Sequence, residues 1–220
     1  MTRGIFVAGN ESALFSAVGV EAVKRVERFA AAVISRAGTE AETGNLREDT
    51  RRMALDWNPG SPISARALVL QAAGKLEHID DAVLVCVPPA YRRSVEGLFP
   101  ADIDRLIDDN LKSWYFLVRE LLAAFRARKA GTLALALLET GGQKNDAPDL
   151  IGPAVGSAFR AFAQNVLLSA AGAPYTAMGF SCSEPGGENA FAAYIFKILD
   201  EGKKNSGRWH KYGKLGLFGR

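Results

Sequence analysis

The chain has 220 residues, of which 48% are hydrophobic and 23% charged, and its formal net charge is +3. This balance is typical of one folded domain and excludes a disordered chain. The cysteines and histidines (Cys86, Cys182, His78, His210) lie in unrelated contexts, so the sequence predicts two buried, reduced thiols and no metal site.

No stretch approaches the roughly 20 apolar residues of a membrane span, and the apolar run near the N-terminus is too short for a signal peptide. We therefore expect a cytoplasmic protein that does not bind membranes. The positive charge is concentrated in "KKNSGRWHKYGKLGLFGR" at the C-terminus, which leaves the rest of the chain close to neutral.

Uniformly apolar runs alternate with helical patterns along the chain. The runs predict strands over residues 4–9, 30–35, 51–57, 81–87, 131–138 and 177–183. Helical periodicity predicts helices over residues 20–29, 63–76, 101–129, 151–172 and 188–202. This alternation is typical of a parallel sheet covered on both faces. The sequence predicts a doubly wound α/β domain over 1–202, with a mostly parallel sheet of six to seven strands. A basic and aromatic tail, 203–220, would pack on the domain or on a neighbouring subunit.

Several landmarks occur in a recognisable order. They are Asp56 after the third predicted strand, "EHIDDAVLVCV" around the fourth, "DIDRLIDDNLKSWYFLVRELLAAFRARKAGTLALAL" at 102–137, and Pro185-Gly186 after the sixth. Together they resemble the short-chain dehydrogenase/reductase family, which has a Rossmann-like fold and uses nicotinamide dinucleotides. The resemblance runs from Gly4 to about Gly207.

The resemblance implies NAD(P) as a cofactor. It places Gly9 in the first turn, Asp56 on the adenine side and Arg36 where a basic residue meets the 2′-phosphate of NADP. The alternative for Arg36 is a solvated surface residue. The first turn reads "GNESALFSAVG", however, and we expect Glu11 to repel a diphosphate and Leu14 and Phe15 to fill its space.

The family's catalytic group is a Ser, a Tyr, a Lys four residues after it, and an Asn. Spacing places the Tyr position at Gly152, the Lys position at Gly156 and the Ser position at Leu138 or Glu139. Only Asn110 matches. The resemblance therefore implies that the family's proton-transfer residues are missing.

Two residues remain as catalytic candidates. Asn110 could line a small-molecule site, or it could satisfy backbone groups at a helix kink. Glu139 follows a strand at its carboxyl end and could act as a general base, or it could be a solvated loop residue. Tyr91 and Tyr175 are weaker candidates for a displaced catalytic phenol, since neither has a Lys four residues on.

Two helices, around 102–126 and 154–171, carry more apolar residues than one sheet face needs, and the family pairs these helices across a dimer interface. We therefore expect a homo- or hetero-oligomer. The leading hypothesis is a catalytically inactive relative that acts as a binding or assembly subunit. The alternatives are an NAD(P)-dependent oxidoreductase with a rearranged site and, less favoured, a nucleic-acid binder that uses the tail.

Overall fold

A seven-stranded parallel sheet forms the centre of the computed structural model, which describes residues 3–26, 28–34, 52–89, 95–139, 151–184 and 186–213. The strands are β1 Gly4–Gly9, β2 Arg28–Ile34, β3 Arg52–Trp57, β4 Asp81–Cys86, β5 Thr132–Leu138, β6 Thr176–Cys182 and β7 Trp209–Tyr212. Their order is β3-β2-β1-β4-β5-β6-β7, and every neighbouring pair is parallel. The predicted doubly wound α/β class is confirmed.

Helices cover both faces of the sheet because alternate residues of each strand point to opposite sides. The helices are α1 Ala13–Val23, α2 Pro62–Leu76, α3 Pro100–Ile107, α4 Ser113–Arg128, α5 Ile151–Ser169 and α6 Glu188–Asp200. One core packs α2, α4 and α5 against residues such as Phe6, and the other packs α1 and α6 against residues such as Ile5. None of the described helices combines the length and apolarity needed to span a bilayer.

The first helix differs from the prediction of residues 20–29, which was wrong. Helix α1 begins at Ala13, where the extended backbone of Ser12 lets its hydroxyl accept the Phe15 N–H at 3.1 Å. It ends at Val23, and Arg28 and Phe29 belong to β2 instead. The capping serine, Ser12, therefore sets where α1 starts. The apolar residues that follow the helix pair into the sheet as β2.

The last strand lies within segment 203–220, which the sequence assigns to a tail. Residues Trp209–Tyr212 pair parallel with β6, with Gly179 opposite Trp209 and Cys182 opposite Tyr212. Its two polar residues, His210 and Lys211, interrupt any uniformly apolar run, so a search for apolar runs does not detect this strand. Residues 214–220 lie outside the described part of the chain.

Two regions of the sheet's carboxyl edge matter for function. The first is the switch in strand order between β1 and β4, where open α/β sheets bind ligands. The second is the neighbouring edge formed by β5, β6 and β7, which faces the start of α5.

Candidate functional site

A cleft of about 450 Å³ lies at the carboxyl ends of β5, β6 and β7, beside the first turns of α5. Its lining residues are Pro88, Leu137, Glu139, Gly152, Pro153, Gly156, Ser157, Arg160, Ser181, Ser183, Lys211 and Tyr212. Its volume is within the range of small-molecule sites, roughly 300–1,000 Å³.

The strand register builds the floor of this cleft. Leu137, Ser181 and Lys211 are successive partners across β5, β6 and β7, so their side chains form one row. Glu139 and Ser183 follow β5 and β6 by one residue and extend the floor outward. The cleft therefore has an apolar side and a polar side.

Helix α5 forms the facing wall, and its first turns present little side chain. Gly152 and Gly156 both line the cleft, one helical turn apart. A Cβ at Gly156 would lie 3.2 Å from Cγ of Pro88, which is tighter than most such contacts. The positions that the resemblance assigns to Tyr and Lys thus line the cleft without contributing a side chain to it.

Arg160 links the three elements around the cleft. Its guanidinium pairs with the carboxylate of Glu139 and lies over the ring of Trp209, 5.1 Å from the centroid. The Trp209 Nε1 donates to Oγ of Ser181 at 3.1 Å. The ring rests on Gly179, where a Cβ would come within 2.2 Å of it. The glycine in β6 therefore makes room for the side chain that anchors β7.

The other face of β7 packs on aromatic residues of the sheet and of α6. Tyr212 lies 5.3 Å from Tyr194 and 5.7 Å from Phe191, centroid to centroid. His210 stacks on Phe180 at 5.3 Å, and its Nε2 is buried with no hydrogen-bond partner among the described residues. Burial lowers the pKa of His210 from its ordinary value, and the nearby charge of Arg208 acts in the same direction.

Asn110 lies outside the cleft lining, in a π-helical turn, Asp108–Lys112, between α3 and α4. It is buried, and its Nδ2 donates to the carbonyl of Leu106 at 3.0 Å. Its Oδ1 accepts from Nδ2 of Asn10 at 3.1 Å. The side chain thus satisfies a backbone group at an irregular helix turn and ties that turn to the end of β1.

The first turn after β1 contains a glycine required by strand packing, an exposed carboxylate and a capped helix end. A Cβ at Gly9 would lie 2.5 Å from the carbonyl oxygen of Val85, so the close approach of β1 to β4 already requires a glycine there. Glu11 is exposed in the turn, and the hydroxyl of Ser12 occupies the Phe15 N–H.

Leu14 and Phe15 are turned into the core. Both are buried between α1 and the sheet, because α1 starts early enough to direct them inward. Phe15 nevertheless lies close to the turn, since a Cβ at Gly9 would be 3.3 Å from its Cδ2. That these side chains fill the space of a diphosphate stays a prediction.

The other predicted cofactor residues fall beyond what can be described. Asp56 lies in β3 with its backbone opposite Val33, but its side chain is outside the described residues. Arg36 and Tyr91 are outside them entirely. Tyr175 lies before β6, at the far end of the strands, where it contacts Phe125 and Arg126.

Glu139, Gly152 and Gly156 thus line the same cleft. Asn110 and Gly9 are not among its lining residues. Sequence reasoning missed Arg160, Lys211 and Tyr212 as cleft residues. The available signal was the segment "RWHKYG", in which Trp209 and Lys211 alternate with His210 and Tyr212 at the period of a strand.

The apolar residues of the two long helices are mostly buried within the single chain, including Trp114, Leu121 and Phe159. The large side chains left exposed here include Tyr115, 57% exposed, and Leu168, 75% exposed. Most of the apolar residues that the sequence leaves without a partner therefore pack against the sheet and the neighbouring helices.

No group of three or more His, Cys, Asp or Glu within the described ranges could hold a metal ion. No protein-family model matches the chain, and no curated protein matches it in sequence.

Solved structures with the same fold are numerous. They include a short-chain dehydrogenase from Mycobacterium smegmatis, with a TM-score of 0.77 and 16% identity over 97% of this chain and 92% of that one. Levodione reductase gives a TM-score of 0.73 and 13% identity over 95% of both chains. A variant of ElxO with bound NADPH gives 0.75 and 10% identity over 96% of this chain and 97% of that one. The chain has the fold of the short-chain dehydrogenases/reductases, and the resemblance seen in the sequence is confirmed at that level.

Proposed function

We propose that this chain has the short-chain dehydrogenase/reductase fold without the catalytic activity, and that it acts as a binding or assembly subunit. The observation that carries the proposal is the position of Gly152 and Gly156, which line the cleft where the family's Tyr and Lys are expected. No rotamer change can supply a proton donor at a residue without a side chain.

The nicotinamide cofactor belongs to the same proposal. The NADPH-bound relative of this fold favours dinucleotide binding. The residues of the first turn oppose it, because an exposed carboxylate at Glu11 repels a diphosphate and the Ser12 cap occupies one N–H at the start of α1. These residues do not fit the diphosphate of NAD(P), and we assign no step to a bound dinucleotide.

The test is a calorimetric titration of the purified protein with NADPH and NADH, followed by an assay of NAD(P)H oxidation with a panel of aldehydes and ketones. We expect no binding at millimolar dinucleotide and no oxidation above background. Glu11→Gln removes the repulsive charge without changing the turn, so any binding should improve in that variant. Steady reduction of a carbonyl by the unaltered protein refutes the loss of activity.

The second candidate is an oxidoreductase with a rearranged site, and the observation that favours it is Tyr212. Tyr212 is among the residues that line the cleft, together with Lys211 and Glu139. Its ring packs on Phe191 and Tyr194 on the other face of β7, so it would have to turn toward the cleft to act as the proton donor. If the oxidation assay gives turnover, Tyr212→Phe should abolish it. Turnover that survives this change would place the proton donor elsewhere.

Assembly would use the helices around 102–126 and 154–171. Tyr115 of α4 packs on Phe162 of α5 with centroids 4.4 Å apart, which joins the two helices at the surface, and Leu168 lies further along α5. Light scattering at micromolar concentration should show a dimer that Leu168→Lys dissociates. Leu70→Lys is the matched control, because Leu70 is 64% exposed on α2. A monomer before substitution removes this part of the proposal.

Nucleic-acid binding by the tail has less support than the sequence implied. Trp209 packs on Gly179, and Tyr212 packs on aromatic residues of α6, so neither ring is available to stack on a base.

A further inference from the structure

The charges of the cleft are unequal. Its lining includes two cations, Arg160 and Lys211, and one carboxylate, Glu139. Arg160 is occupied by Glu139 and by the ring of Trp209. Lys211 is exposed and has no carboxylate partner among the residues that the structure describes. Lys211 therefore contributes a positive charge to the floor of the cleft that no described carboxylate neutralises.

Three serines line the same cleft as Lys211. Ser181 is the register partner of Lys211 and is buried, and its oxygen accepts the N–H of Trp209 while its own proton remains to be donated. Ser157 and Ser183 line the same cleft from α5 and from the end of β6. The polar side of the cleft thus combines one ammonium with hydroxyl groups that can donate hydrogen bonds.

The opposite side is apolar. Pro88, Pro153 and Leu137 line it, and Gly152 and Gly156 add no polar side chain beside them. A ligand that matches both sides has a small apolar body and one negatively charged acceptor group. The carboxylate of Glu139 disfavours a second negative charge, because like charges at short range repel.

We propose that the cleft binds a small organic monocarboxylate. The ammonium of Lys211 and the serine hydroxyls hold its carboxylate, and its apolar body lies between Pro88 and Pro153. Glu139 sets the selectivity by restricting the charge of the ligand. This inference rests on the proposed function, because it treats the cleft as a binding site in place of a site for hydride transfer.

Benzoate is the probe, with benzamide as a neutral control of nearly the same shape. Titration of the full chain, followed by ¹H–¹⁵N NMR, should show saturable shifts at Ser157, Ser181 and Lys211 with benzoate. Benzamide should bind about tenfold more weakly, since it lacks the charge. Equal affinity for the two compounds, or no saturable shift up to roughly 50 mM benzoate, overturns the proposal.

Two substitutions give opposite expected results. Lys211→Gln should reduce benzoate affinity to about that of benzamide, because it removes the unpaired cation from an exposed position. Glu139→Gln should increase benzoate affinity about threefold to tenfold, because it removes a repelling charge and releases Arg160. Lys75→Gln on α2 is the control and should change nothing. Weaker benzoate binding by folded Glu139→Gln contradicts the assigned role of the carboxylate.

The oxidation assay separates this inference from the proposed function. NADPH-dependent reduction of a carbonyl would refute the loss of catalysis whether or not benzoate binds. Absence of benzoate binding in a protein that also lacks turnover would refute the monocarboxylate site alone.

Discussion

Gly179→Ala tests how the last strand is attached to the sheet. The added Cβ would lie 2.2 Å from Cε3 of Trp209, whereas ordinary contacts begin at 3.4 Å. The ring must therefore shift by about an ångström or more, because the backbone of Gly179 is held in the middle of β6 and is paired with Trp209 at the start of β7. That shift disrupts the hydrogen bond from Trp209 to Ser181 and the contact with Arg160.

The expected cost follows from these contacts. Overpacking costs about 1–3 kcal/mol, and the loss of one hydrogen bond adds about 0.5–1.5 kcal/mol. We expect the free energy of unfolding to fall by about 2–4 kcal/mol. For a domain of this size, the Tm should fall by roughly 4–16 °C. Urea denaturation and thermal unfolding measure both quantities.

Two controls isolate the contact. Gly74→Ala lies in α2 with nothing within 4 Å of the new Cβ, so it should be neutral or stabilising by up to about 1 kcal/mol. In a Trp209→Ala background, Gly179→Ala should cost little, because the clashing ring is gone. An equal loss of stability in both backgrounds, or an unchanged Tm, would refute this account of β7.

Three further predictions concern buried polar groups and thiols. Asn110→Ala leaves the carbonyl of Leu106 without its donor and should lower the free energy of unfolding by about 1–3 kcal/mol in urea; a loss below about 0.5 kcal/mol would argue against the hydrogen bonds described. The pKa of His210 is lowered in the folded chain, so stability should be highest above pH 6.5 and should fall as the pH drops below it, because the unfolded chain then binds the proton more readily. Removing the imidazole by His210→Phe should flatten this slope, and an unchanged slope would contradict the assignment. Burial raises the pKa of Cys86 and of Cys182. The native protein should therefore resist iodoacetamide at pH 8, while both thiols should react in urea. Alkylation of the native sample, detected by mass spectrometry, would contradict this prediction.

The fold class could be predicted from the sequence because its signals are local. Uniformly apolar runs such as "GIFVAG" and "LALALL" indicate strands buried on both faces, and the helical patterns between them require parallel crossovers. The start of α5 was predictable for the same reason, because its apolar residues recur at helical spacing. The two glycines in its first turns, Gly152 and Gly156, line the cleft.

Long-range pairing decided the rest. Strand β7 pairs with β6 where the ring of Trp209 packs against Gly179, thirty residues earlier in the chain. No local sequence pattern predicts this contact. The register of β7 then places Lys211 beside Ser181, and the ion pair of Arg160 with Glu139 closes the other side. The sequence by itself determined that glycines stand at positions 152 and 156, whereas only the tertiary structure determined which side chains face the cleft beside them. A side chain's chemistry is local, but its neighbours depend on how distant segments pack.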